Sequence, residues 1–110
     1  MGVSKTELFT DRHNEIAALA KALGHPARVA ILELMTEIEG CICGDLAEET
    51  GLAQPTVSQH LAVLKQVGLI RGTIKGTRKC YCIDPVRWNT FKNMITDFLS
   101  QSTVVNECCD

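Results

Sequence analysis

Six cysteines stand in this chain of 110 residues, and they come in pairs: Cys41 with Cys43, Cys80 with Cys82, and Cys108 with Cys109. Sulfurs spaced this way suit two kinds of chemistry. As thiolates they bind soft metal ions and, by the same preference, trivalent arsenic or antimony. As dithiols they close to a disulfide, or carry a persulfide, and reopen on reduction. A buried cysteine with neither role packs as a small apolar group. The three histidines, His13, His25 and His60, have no spacing that builds a zinc site. A cysteine and a histidine can form a nucleophile and its base. Here, however, no nucleophile elbow, phosphate loop or paired-carboxylate motif accompanies them, so an enzyme is not expected.

Charge points to a polyanion. From Thr50 to Ile83 there is no acidic residue, while Lys65, Arg71, Lys75, Arg78 and Lys79 give the stretch +5 in a chain of formal net charge -2. A basic segment set apart in an acidic protein is the footprint of one face that meets nucleic acid. A solvated basic surface is the plain alternative for the charge count alone. No apolar run approaches the ~18 residues of a membrane span, and the N-terminus lacks the apolar core of a secretory signal, so a cytoplasmic location is expected. In that reducing compartment paired cysteines suggest metal or redox chemistry before scaffolding. The length suits a single domain over 1–110, with its core at about 6–100 and a flexible tail at 101–110.

The elements that must position these residues follow from periodicity and breakers. Ile16, Leu19, Ala20 and Leu23 repeat at helical spacing over Glu15 to Leu23, with Leu8 and Phe9 extending that face. Gly24-His25-Pro26 breaks the helix, and Pro26 starts a second one carrying Val29, Ile31, Leu32, Leu34 and Met35. A short third helix runs from Asp45 to Thr50 and ends at Gly51. The fourth buries Val57, Leu61 and Leu64 and turns Thr56, Gln59, His60 and Lys65 outward, with Ser58 at the edge, before Gly68 closes it. Leu69 to Ile74 and Lys79 to Ile83 read as two strands joined by residues 75–78. After Asp84-Pro85, the residues Trp88, Phe91, Ile95 and Phe98 mark a last helix. The fold class is mainly α with a small β-hairpin: five helices and a wing.

A short helix, a glycine turn and a second helix with polar residues outward is a helix-turn-helix. Gln59 suits adenine, Thr56 and Ser58 suit a base or a phosphate, and His60 suits either. Lys65, Lys75, Arg78 and Lys79 suit the DNA backbone. The runs LGHPARVAILELM, DLAEETGLAQPTVSQHLAVLKQVGLI and GTIKGTRKCYCI resemble the arsenic- and metal-responsive repressors of bacteria, the ArsR/SmtB family, over residues 15–98. The resemblance implies a winged helix-turn-helix homodimer that binds double-stranded operator DNA and leaves it when an inducer binds. It puts Gln54, Thr56, Ser58, Gln59 and His60 on or near the reading surface and Lys75 and Arg78 in the wing. It also implies that the first and last helices pair across a two-fold axis, which makes Leu8, Ile16, Leu19, Trp88, Phe91, Ile95 and Phe98 the candidate dimer interface. Ala53 stands where the family commonly has Ser, so one helix cap is missing.

The family keeps a Cys-x-Cys pair near the third helix in its arsenic and cadmium sensors, and here Gly44 shifts Cys41 and Cys43 one residue out of that register. The last helix has no histidine, so the zinc site of some members is absent. In winged helices the segment before the third helix can pair with the second wing strand, which would set Cys41-Ile42-Cys43 beside Cys80-Tyr81-Cys82. If both pairs face the same side, four sulfurs converge. The adjacent Cys108 and Cys109 are a further inducer site or an exposed tail. The expected function is a repressor that needs no cofactor and is released by As(III), Sb(III) or another soft ion bound through a subset of these six cysteines. The alternative is a repressor of the same fold that senses thiol oxidation or persulfide, and a protein-interaction module is a third possibility.

Overall fold

The computed structural model describes residues 8–38, 41–44 and 46–102. They form α1 (Asp11–Leu23), α2 (Pro26–Glu37), α3 (Leu46–Thr50), α4 (Gln54–Gln66), β1 (Ile70–Lys75), β2 (Arg78–Ile83) and α5 (Pro85–Leu99). Element types and order agree with the expectation, and the boundaries move where local hydrogen bonds decide them. The first helix starts at Asp11 rather than Glu15 because Thr10 and His13 cap it reciprocally. The Thr10 hydroxyl accepts the His13 N–H at 3.1 Å, and the His13 Nδ1 accepts the Thr10 N–H at 3.3 Å. His25 caps α2 through the Ala27 N–H at 3.1 Å, with Pro26 preset for the first turn. Asp84 caps α5 by accepting from Val86 and Arg87.

The wing is tighter than expected. Lys75 and Arg78 belong to the strands, opposite each other, so the connection is only Gly76-Thr77. Gly76 has φ +65 and Thr77 is not at positive φ, the sign pattern of a type II′ hairpin turn that glycine permits.

One core unites the helices with the base of the wing. Leu19, Ile31, Leu32, Met35, Leu46, Val57, Leu61, Leu64, Leu69, Ile70 and Phe91 are all buried in it. Leu64 has no exposed surface, and with Val57 and Leu61 it forms the expected inward stripe of α4. Arg87 then ties three elements together. It pairs with Glu15 of α1, its Nε donates to the Val67 carbonyl at 3.2 Å, and its guanidinium lies 4.4 Å over the Phe91 ring. Gly68 leaves room for it: φ is +86, and a Cβ there would come within 3.3 Å of the Arg87 side chain.

Ala53 sits at the N-cap of α4 with φ -65 and ψ 146, extended geometry ready for a cap, and no side-chain bond is made. Ala53→Ser is expected to add about 1 kcal/mol of stability by satisfying a first-turn N–H, read as a higher urea midpoint at unchanged m-value. An unchanged or lower midpoint would show the expectation to be wrong.

Candidate nucleic-acid interface and its thiol site

The buried stripe of α4 fixes what its other faces meet. On one flank Thr56 and His60 are half-buried toward α2, where the His60 ring lies 4.5 Å from that of His25. On the other flank Gln54, Ser58 and Lys65 line an open groove of about 530 Å³ that is closed on its far side by Arg78, Lys79 and Tyr81 of the wing. Gln59 is exposed between the flanks, and the Gln54 amide reaches the Ser58 hydroxyl at 3.5 Å. Lys65 extends to Gly72, where a Cβ would meet its ammonium at 3.3 Å, so the bare strand gives the lysine its place. Of the sequence-selected residues, Gln54, Ser58, Lys65 and Arg78 therefore share one groove. Thr56 and His60 sit on the α2 flank, and Lys75 ends β1 at the hairpin tip.

Arg78 has a second contact that spacing did not suggest. Its guanidinium donates to the Cys43 carbonyl at 2.7 Å, which links the wing to the segment before α3. That segment is itself paired with the wing. Ile42 and Tyr81 exchange both backbone bonds, with Ile42 N–H to Tyr81 O at 2.9 Å and Tyr81 N–H to Ile42 O at 2.8 Å. In an antiparallel ladder the residues flanking such a pair face each other as close, non-hydrogen-bonded pairs. Cys41 consequently opposes Cys82 with Cα atoms 4.4 Å apart, and Cys43 opposes Cys80 at 4.1 Å. Alternation puts Ile42 and Tyr81 against the α4 side and all four sulfurs on the other side of the sheet.

Both opposed pairs are disulfides. Four sulfurs gathered on one face match the expected convergence, but bridged sulfurs are not thiolate ligands. Among the described residues no group of His, Cys, Asp or Glu forms a metal-binding cluster. An ion could use this donor set only after both bridges open. His13 and His25 are helix caps, and Cys108 and Cys109 lie outside the described residues.

Of the apolar residues selected for a dimer interface, Leu19, Trp88, Phe91 and Ile95 line a second groove, about 330 Å³, between α1 and α5, and Leu8, Ile16 and Phe98 do not. Leu23 lines it too, and Leu69 closes it. Leu19 and Phe91 are buried within the subunit, Ile16 is half-buried, and Leu8 and Phe98 are exposed at 67% and 45%. No helix among the described residues is long and apolar enough to cross a membrane.

Residues 25–71 match the model of the bacterial regulatory protein arsR family. Across 74 residues the chain is 35% identical to MJ1325 of Methanocaldococcus jannaschii, described as an uncharacterized HTH-type transcriptional regulator, covering 66% of this chain and 82% of that one. The chain belongs to the arsR family of transcriptional regulators. Its fold agrees with the family. The transcriptional repressor BigR from Xylella fastidiosa superposes with a TM-score of 0.62 at 26% identity, covering 91% of this chain and all of that one. The homodimeric winged helix-turn-helix domain Mb0332 from Mycobacterium bovis superposes with a TM-score of 0.65 at 25% identity, over 97% and 99% of the two chains. As an arsR-family regulator, the chain binds DNA and is not an enzyme.

Two expectations follow from the geometry. The Cys41–Cys82 bridge closes a separation of 41 residues, worth about 4 kcal/mol in the chain-entropy treatment. The inner bridge then closes only the short ring of residues 41–43 and 80–82 and adds less. Reduction should lower the urea midpoint strongly, and a Cys43→Ser/Cys80→Ser variant that keeps the outer bridge should retain most of the stability. Equal midpoints with and without reductant would contradict this. In the family regulator's α2 flank, His60 titrates below the ordinary histidine value of 6.5 because of partial burial first, then the neighbouring His25 and Arg28. The unfolded chain therefore takes up its proton at higher pH than the folded one. This stabilising term is complete above pH 6.5 and is lost as the pH falls below that value toward the depressed folded pKa. His60→Gln should flatten that part of the stability-versus-pH curve, and an unchanged slope would assign it elsewhere.

Proposed function

We propose that this regulator is a dimeric repressor whose grip on operator DNA is set by the oxidation state of Cys41, Cys43, Cys80 and Cys82. The observation that carries the reading is the double bridge across the Ile42–Tyr81 pair, because it joins thiol chemistry to the wing that lines the DNA groove. The reading helix α4 enters the major groove, with Gln54, Ser58 and Gln59 toward base edges and Thr56 and His60 at the margin. Lys65, Lys75 and Arg78 take phosphates. With both bridges closed, the Cys41–Gly44 segment is fixed against β2 and Arg78 is held on the Cys43 carbonyl. Oxidation thus costs the DNA a phosphate contact and sets the pitch of the wing, so the oxidised form is the released one. Dimerisation uses the α1–α5 groove with Ile16, Trp88, Ile95, Phe98 and Leu8. The homodimeric domain that shares this fold supports it, and so does the match of two half-sites to two-fold DNA.

The gathering of four sulfurs on one face supports a second reading. Reduced, they form a soft donor set suited to As(III), Sb(III) or a thiophilic metal ion, and such an ion would tie the same two segments together as the bridges do.

The experiment is fluorescence anisotropy on a DNA fragment selected from a random pool by the reduced protein. Affinity should fall roughly 10- to 100-fold on oxidation. Three phosphate-binding cations per subunit of a dimer give a log Kd against log salt slope of about 5 in magnitude. Arsenite added to reduced protein separates the readings: release with an arsenic adduct by mass spectrometry favours the ion, and release only on oxidation favours the bridge. Salt-insensitive binding, or none in either state, would overturn the proposal.

A further inference from the structure

The two bridges are not equivalent. Cys80 has no exposed surface, so the inner bridge is shut off from solvent at that sulfur. Cys41 and Cys82 are half-buried and together line a surface cavity of about 520 Å³ between α2, β2 and α5, walled by Ile38, Trp88, Asn89 and Arg71. The hairpin register pairs Arg71 with Cys82, which puts the arginine on the same sheet face as that sulfur, and both residues line the cavity. Cys41 lies on the outer segment and also lines a second cavity, one that holds Glu37 and Glu49. A cation on the face and cavity of Cys82 favours its thiolate, and the carboxylates that line the second cavity with Cys41 disfavour the other.

We infer that this cavity is a reaction site for a low-molecular-weight thiol, which opens the Cys41–Cys82 bridge first by attacking Cys41 and expelling Cys82. The inference deepens the thiol-switch reading and rests on it. The incoming thiolate forms a new S–S bond to Cys41, the Cys41–Cys82 bond breaks, and its electron pair leaves on the Cys82 sulfur, on the face that carries Arg71. The better-stabilised thiolate is the faster leaving group. A second thiolate then attacks the reagent sulfur, releasing the small disulfide and the Cys41 thiolate. Neither new thiolate can pass the reaction inward. Cys82 and Cys80 are two residues apart on one strand, about 7 Å, and the diagonal to Cys43 is as long, whereas a disulfide needs Cβ atoms about 4 Å apart. The protein therefore passes through a state with the outer bridge open and the inner one closed. Arg71 is a positioning residue for the leaving sulfur.

The test treats the oxidised full chain with β-mercaptoethanol, quenches it with acid at intervals, alkylates free thiols and maps them by mass spectrometry. The expected intermediate carries the reagent on Cys41 and a free Cys82, with Cys43–Cys80 opening roughly tenfold more slowly or worse. Arg71→Gln should slow the first step by roughly three- to tenfold and Arg71→Lys should restore it, since the requirement is for charge. A Cys43→Ser/Cys80→Ser variant should show the fast phase alone. Reagent found first on Cys82, Cys43 or Cys80, simultaneous opening of the bridges, or an Arg71→Gln rate equal to wild type would overturn the inference. DNA affinity measured on the same time points separates the two ideas: constant affinity would remove the switch and leave the order of opening standing.

Discussion

Two backbone hydrogen bonds between Ile42 and Tyr81 hold the segment before α3 on the wing, and the placement of all four described sulfurs depends on them. They add a single residue's worth of third strand to the wing, and the pleat does the rest. Ile42 and Tyr81 turn to α4, while the residues on either side turn away and meet in pairs. Without that pairing nothing in the sheet would hold Cys41 and Cys43 against Cys82 and Cys80 of β2, which follow them by 41 and 37 residues in sequence. With it, the four sulfurs and one wall of the groove beside α4 belong to the same small sheet. Arg78 reinforces the arrangement from the side, its guanidinium on the Cys43 carbonyl while its strand faces the groove.

The helix α4 is held from two directions by contacts of different kinds. Its apolar stripe is locked into the core by Leu61 and Leu64, which packing alone specifies. Its C-terminal end is fixed by Arg87, which reaches from α5 to the Val67 carbonyl and to Glu15 of α1. The helix α4 is thereby joined to both helices that flank the apolar groove. The acid-free segment also divides on folding: Lys65, Arg78 and Lys79 gather around the groove between α4 and the wing, while Arg71 goes to the opposite face with the sulfurs.

Most of the fold was legible because each helix carries a strong breaker and an unbroken apolar stripe: Pro26 and Gly68 mark ends, and Val57, Leu61 and Leu64 declare the inner face. Convergence of the four sulfurs also followed from period-two alternation once a third strand was supposed. The start of α1 was missed because His13 fills the capping position usually held by Glu or Gln. The wing turn was read as four residues because Lys75 and Arg78 have no strong strand signal of their own, although the same register already set Arg71 opposite Cys82. Contacts between distant side chains left no periodic trace. Nothing in the spacing announced His25 against His60 or Arg78 on a carbonyl, and for the cysteines it left bridges and open thiolates as alternatives.

The double bridge also alters the connectivity of the molecule. Residues 43 to 80 hold α3, α4 and most of the hairpin, and the Cys43–Cys80 bridge closes them into a covalent macrocycle whose two ends meet at one point of the sheet. The helices α1, α2 and α5 lie outside that ring, on the two strands of chain leading in and out. The oxidised regulator is thus a closed loop carried on a helical stem, and a peptide bond cut anywhere inside the loop leaves a single covalent molecule.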